Sequence, residues 1–114
     1  METLTYGPQT SEVKAFLMKV ESITLTQVKA LKGNLRTTAR GRAWDALWAS
    51  GRGVVWEIAW DACLGSATWE TMKDPAWDAA SDALLALLVK DLISAEDFDI
   101  LYRAWASVME AGNE

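Results

Sequence analysis

The chain contains no histidine and a single cysteine, Cys63, among its 114 residues. Without histidine it lacks the side chain whose ordinary pKa lies nearest neutrality and which most often serves as general base or metal ligand. With one cysteine it can form neither an internal disulfide nor a thiolate-built zinc site. Proline occurs only twice, so few positions are closed to helix. Long apolar runs are missing too. The longest, Ala83 to Val89, is far short of the roughly 20 residues that span a bilayer. The N-terminal METLTYGPQT has neither the basic nor the apolar region of a secretory leader. These absences predict a cytoplasmic protein with no membrane span, no cofactor site, no metal site and no catalytic constellation of the common kinds.

Tryptophan, by contrast, occurs seven times. Half of the chain is apolar and a quarter charged, the balance of a folded domain, and the length suits one domain with a real core. Charge is unevenly placed. Residues 1–52 carry eight Lys/Arg and four Asp/Glu, whereas residues 53–114 carry three and twelve. Either the basic half folds onto the acidic half and the charges pair, or one of them faces a partner.

Apolar residues recur with helical spacing almost throughout. Gly7-Pro8 predicts an extended segment over 1–10, followed by a single helical domain over 11–112. Val13, Phe16, Leu17 and Val20 share one face of a helix over 11–21. Thr24 and Gln27 have capping-box spacing and start a short helix from 25 to 32, stopped at Gly33-Asn34. A helical register over 36–50 meets Ser50-Gly51-Arg52-Gly53, the best break in the chain, although one bent helix through it remains open. A further stripe (Trp56, Ala59, Trp60, Cys63, Leu64, Ala67) runs on to about 72. Asp74-Pro75 marks a restart. From Ala76 to Leu92, leucines wrap most of the circumference, which predicts a central buried helix. Ser94 with Asp97 starts the last one. No stretch alternates with the period of a strand. The expected fold is all-α, a compact bundle of five to six helices around a central apolar helix at about 76–92.

Ala-Trp-Asp-Ala occurs at 43–46, 59–62 and 76–79. Neighbouring residues on a helix point about 100° apart, so Trp can face inward while Asp faces out, available to accept an indole N–H from a neighbouring helix. Trp44, Trp48, Trp56, Trp60 and Trp77 are therefore expected in the core. Trp69 lies off its helix's apolar stripe and is the best candidate for exposure.

These units, with Leu84-Leu85-Ala86-Leu87-Leu88-Val89-Lys90-Asp91-Leu92-Ile93, Asp97-Phe98-Asp99-Ile100-Leu101-Tyr102 and Thr26-Gln27-Val28-Lys29-Ala30-Leu31-Lys32-Gly33, resemble a mostly uncharacterised group of small Trp/Ala-rich helical proteins of actinobacteria and their bacteriophages. The resemblance covers roughly residues 22–109. Many members are more monotonously repetitive, whereas Gly51, Gly53 and Gly65 interrupt the pattern here. It implies an origin and carries no catalytic residue across.

Three groups of residues remain as candidate sites. Lys29, Lys32, Arg36, Arg40 and Arg42 form a basic run without an acid, as phosphate contacts require. As a helix-turn-helix it fits poorly, with Lys32 just before the turn and Arg42 at an expected core position. The pair Glu57 and Asp61 and the set Asp74, Asp78 and Asp82 each share a helix face, but no histidine or calcium-loop pattern accompanies them. Cys63 reads as a buried small hydrophobe. The favoured expectation is a non-enzymatic accessory protein of phage type. It would bind and modulate a host bacterial protein through Trp69 and an acidic band of Asp91, Glu96, Asp97 and Asp99. Alternatives are a nucleic-acid-binding protein using the basic run, an immunity or antitoxin protein, and self-association into a homodimer.

Overall fold

A computed structural model describes residues 7–31, 38–64 and 74–110. These residues form six α-helices: α1 (Thr10–Glu21), α2 (Leu25–Ala30), α3 (Thr38–Ala49), α4 (Gly53–Leu64), α5 (Asp74–Leu88) and α6 (Ala95–Met109). No strand occurs among the described residues. The fold is all-α, a compact bundle, as the periodicity predicts.

The N-terminal expectation needs a correction within residues 7–10. Gly7–Gln9 form a 3-10 turn that leads directly into α1 at Thr10. Pro8 does not break this turn because its fixed φ suits the first turn of a helix, where its missing N–H has no partner to lose. The second helix stops two residues sooner than expected. Leu31 is already extended (φ −74°, ψ 126°), and its side chain is buried. Its capping box is complete: Thr24 Oγ1 accepts from the Gln27 N–H at 3.1 Å, and Gln27 Oε1 accepts from the Thr24 N–H at 2.9 Å. Ser94 likewise caps α6, accepting from the Asp97 N–H at 3.0 Å.

The Gly51–Gly53 segment resolves into two helices and not one bent one. Gly51 has φ +77°, a left-handed conformation that glycine adopts without a Cβ penalty. Gly53 solves a different problem. A Cβ there would lie 2.2 Å from Cζ3 of Trp48, so the first turn of α4 tucks beneath that indole only because the side chain is absent.

Helix α5 is the centre of the bundle and packs against each of the other five helices, and α2 touches both α5 and α6. Every residue from Asp82 to Val89 is buried. Val13, Phe16 and Val20 of α1, Ile23, Val28 and Leu31 in and beside α2, Ala39, Ala43 and Leu47 of α3, Ala59 and Cys63 of α4, and Leu101, Trp105 and Met109 of α6 complete the core. The regular helix ends at Leu88, short of the expected Leu92, and Leu92 is exposed. No cation lies in the last turn of α5 itself. Arg52, from the α3–α4 turn, supplies one by donating to the Leu88 carbonyl at 2.9 Å, satisfying an orphan acceptor at the negative end of the helix.

Candidate functional site

The alanines of the repeated units decide where the indoles go. Ala43, Ala59, Ala76 and Ala79 of those units are buried, as are Ala39, Ala80 and Ala83 beside them, whereas Ala46 is half-buried and Ala62 exposed. Trp44, Trp48, Trp56, Trp60 and Trp77 are displaced to the rim, contrary to the expectation that they fill the core. Four are half-buried, and Trp48 is 61% exposed. Among the described residues the wholly buried indole is Trp105, packed on Phe16 with ring centroids 4.6 Å apart.

At the rim these five indoles join into one ribbon. Trp48 stacks on Trp44 at 6.0 Å, and Trp44 meets the edge of Trp56 at 4.9 Å. Trp56 lies nearly parallel to Trp60 (9°) at 5.4 Å, and Trp60 meets Trp77 edge-on at 5.2 Å. Each step lies in the range where aromatic pairs attract beyond simple burial. The ribbon crosses from α3 over α4 to the start of α5. Beside it on α4, Val54 and Ile58 stand one turn apart and are 64% and 45% exposed.

The sequence carries a signal for this ribbon that the core expectation missed. Trp44/Trp48 and Trp56/Trp60 are both spaced i, i+4, in successive helices joined by a tight glycine turn. Four of the five ribbon tryptophans are also followed directly by an acid: Asp45, Glu57, Asp61 and Asp78. Asp45, Glu57 and Asp61 are exposed, and Asp78 is half-buried. At about 100° per residue, Glu57 and Asp61 form a row between the indoles and the Val54/Ile58 edge of α4. The expected hydrogen bonds from indoles to Asp45 and Asp61 are not formed among the described residues.

The uneven charge of the two halves is largely internal. Arg42 donates to Asp97 through Nε (2.7 Å) and Nη2 (2.6 Å), and Arg52 donates to Asp91 through Nη1 (2.7 Å) and Nη2 (3.0 Å). Arg40 Nε lies 3.0 Å from Oδ1 of Asp82, with its guanidinium carbon 6.0 Å from the Trp44 ring centroid. The hydrogen bonds from Arg52 hold the Asp91 carboxyl below its ordinary range, as those from Arg42 do for Asp97. Burial pushes Asp82 up to about 6, against the opposing pull of Arg40. Burial also raises the Cys63 thiol to about 12, the behaviour of a small core hydrophobe.

These pairs occupy much of the expected docking band. Asp97 is buried against Arg42. Asp91 also accepts from Gln9 at 2.9 Å, and Asp99 pairs with Arg103 one turn on. Glu96 is exposed, and Trp69 lies outside the described residues. Of the basic run, Lys29 is exposed on α2, Arg40 and Arg42 are engaged as above, and Lys32 and Arg36 lie outside the described residues. Among the described residues no three His, Cys, Asp or Glu side chains converge as a metal site would require, and no helix is long and apolar enough to cross a membrane.

Neither family models, nor curated proteins, nor solved structures match this chain.

Proposed function

We propose that this chain is a non-enzymatic interaction protein whose docking face is the tryptophan ribbon with Val54 and Ile58. The observation that carries the reading is the partial exposure of five indoles in one continuous array. A core needs its tryptophans inside, and a monomer gains little from keeping large apolar groups in water. Tryptophan is also the side chain most enriched at the energetic centre of protein interfaces. In the setting that the resemblance implies, the partner is a protein of the bacterial host whose activity is modulated on docking. An immunity or antitoxin role is a special case in which that partner is a toxin.

The ribbon takes the docking role expected of the acidic band because Asp91, Asp97 and Asp99 already have cationic partners within the fold. Nucleic acid is disfavoured on the same grounds. Bases stack on aromatic rings, but Asp45, Glu57 and Asp61 beside these rings repel a phosphate backbone.

The test is a pair of capture experiments from an actinobacterial lysate, with each retained protein then purified and its dissociation constant measured. The double variant Trp48→Ser/Ile58→Ser is expected to weaken binding at least about tenfold, a loss of about 1.4 kcal/mol. A purified partner that binds this variant as tightly as the parent, but loses affinity for Glu96→Lys, would return the interface to the acidic band and overturn the assignment.

A further inference from the structure

We infer that the ribbon is built to receive a cationic segment, a stretch of polypeptide bearing arginine or lysine side chains, whose charged groups lie over the indole faces and against the carboxylates that follow them. The inference rests on the docking reading above and names the chemistry of the partner. Three observations carry it.

The first is a charge imbalance created by the fold. Between residues 38 and 64 the cations are Arg40, Arg42 and Arg52, and each is committed to a carboxylate of the α5–α6 half: Asp82, Asp97 and Asp91. The anions of the same stretch are Asp45, Glu57 and Asp61. All three are exposed, and none has an ion-pair or hydrogen-bond partner among the described residues. Among the described residues of this stretch, internal pairing therefore commits the cations to the α5–α6 half and leaves Asp45, Glu57 and Asp61 facing solvent.

The second is placement. Asp45 and Trp48 are three residues apart and share a face of α3, and Glu57 and Asp61 follow the stacked pair Trp56 and Trp60 on α4. An indole face with a carboxylate at its edge suits a guanidinium, which stacks on aromatic rings and donates in its own plane. The third is that the protein makes one such contact itself. The Arg40 guanidinium carbon lies 6.0 Å from the Trp44 ring centroid while its Nε is 3.0 Å from Asp82 of α5, so one ring of the ribbon already carries an arginine of the fold beside a carboxylate, the arrangement proposed for a partner's arginine at Trp48, Trp56 and Trp60.

The same charges argue against a second copy of the chain as occupant. A two-fold contact would bring Asp45, Glu57 and Asp61 of one molecule against the same three of the other, where like charges are costly.

The experiment titrates the full chain with an oligo-arginine peptide at physiological salt, using the equal-length citrulline peptide as its uncharged counterpart. Indole Nε1–H NMR signals serve as the readout. Shifts confined to Trp44, Trp48, Trp56, Trp60 and Trp77, with Trp105 unmoved, are expected for arginine and absent for citrulline. Glu57→Gln/Asp61→Asn, two exposed positions that leave the core intact, is expected to weaken binding about tenfold. Glu96→Gln/Asp99→Asn removes the same formal charge elsewhere and is expected to change it less than about twofold.

Equal losses from the two double variants, equal shifts with citrulline, or no shift with arginine would overturn the inference. So would sedimentation showing a dimer that Trp48→Ser dissociates. If oligo-arginine fails while Trp48→Ser/Ile58→Ser still releases a purified protein partner, the cationic assignment alone falls. If that variant also leaves every partner bound, the docking reading falls with it.

Discussion

Arg42 grips Asp97 with two hydrogen bonds of 2.7 and 2.6 Å, tying α3 to the first turn of α6 across 55 residues of chain. The fork-to-carboxylate geometry is the strong form of an ion pair. Asp97 contributes twice, because its backbone N–H also donates to the Ser94 cap and its charge sits at the positive end of α6. Arg42→Ala and Asp97→Ala are each expected to lower the melting temperature, and the double variant to be little worse than the more damaging single one. A double-mutant cycle measures this directly. Strict additivity of the two losses would mean that the pair contributes nothing beyond its separate parts.

Acid should first stabilise this protein and then destabilise it. Asp82 is buried and titrates near 6 when folded, above an ordinary aspartate in the unfolded chain. The folded state therefore holds this proton more tightly, and stability rises as pH falls from 7 through 6 towards 4, by at most about 3 kcal/mol. Asp91 and Asp97 have the opposite sign. Their lowered values contribute stability above the ordinary aspartate pKa, and it is lost as pH falls below about 4. Urea unfolding midpoints at pH 7, 5 and 3 should pass through a maximum at the middle value. Asp82→Asn should flatten the upper limb and leave the acid loss in place. An unchanged midpoint between pH 7 and 5 in the parent would show that burial does not govern Asp82.

The helices were legible because period and caps agreed. Val13, Phe16 and Val20 share a buried face as their spacing predicts, and Thr24, Gln27 and Ser94 make the local bonds that their positions imply. Such features are settled within one or two turns of chain. The ribbon was harder to see because the side a tryptophan takes depends on what the opposing helix allows. Ala39, Ala43 and Ala59 take the buried positions of α3 and α4, while Trp44, Trp56 and Trp60 pack against the core from its edge. Hydrophobicity alone placed them inside. The ion pairs show the same division. Opposite net charge in the two halves implied pairing, but which arginine meets which aspartate is fixed by packing across 39 or more residues.

The two glycines at the α3–α4 turn should respond differently to alanine. Gly51 has open space around it but a positive φ, so Gly51→Ala is expected to cost about 1 kcal/mol and about 5 °C in melting temperature. Gly53 has an ordinary φ, but a Cβ there collides with the Trp48 ring. That ring is largely exposed and can swing away, so Gly53→Ala is expected to spare stability and disturb the stacking on Trp44. Near-ultraviolet circular dichroism separates the two. A large signal change is expected for Gly53→Ala, with a parent-like folded spectrum for Gly51→Ala. The reverse pattern would mean that Trp48 does not rest on Gly53.

Trp105 presents a conflict between volume and polarity. Its ring is fully buried against Phe16, yet its Nε1–H has no hydrogen-bond partner among the described residues. Leaving a buried donor unpaired costs about 1–3 kcal/mol, whereas removing the whole ring costs about 3–5 kcal/mol through lost contacts and the cavity left behind. Trp105→Ala should therefore consume much of the roughly 5–15 kcal/mol that holds a domain folded. Trp105→Phe keeps an aromatic ring in place and deletes the unpaired donor, so its two effects oppose, and its stability is expected within about 1 kcal/mol of the parent. Urea denaturation of the two variants decides the matter. If Phe is nearly as damaging as Ala, the indole N–H is satisfied after all, and the ring's stability comes from a polar contact as well as from packing.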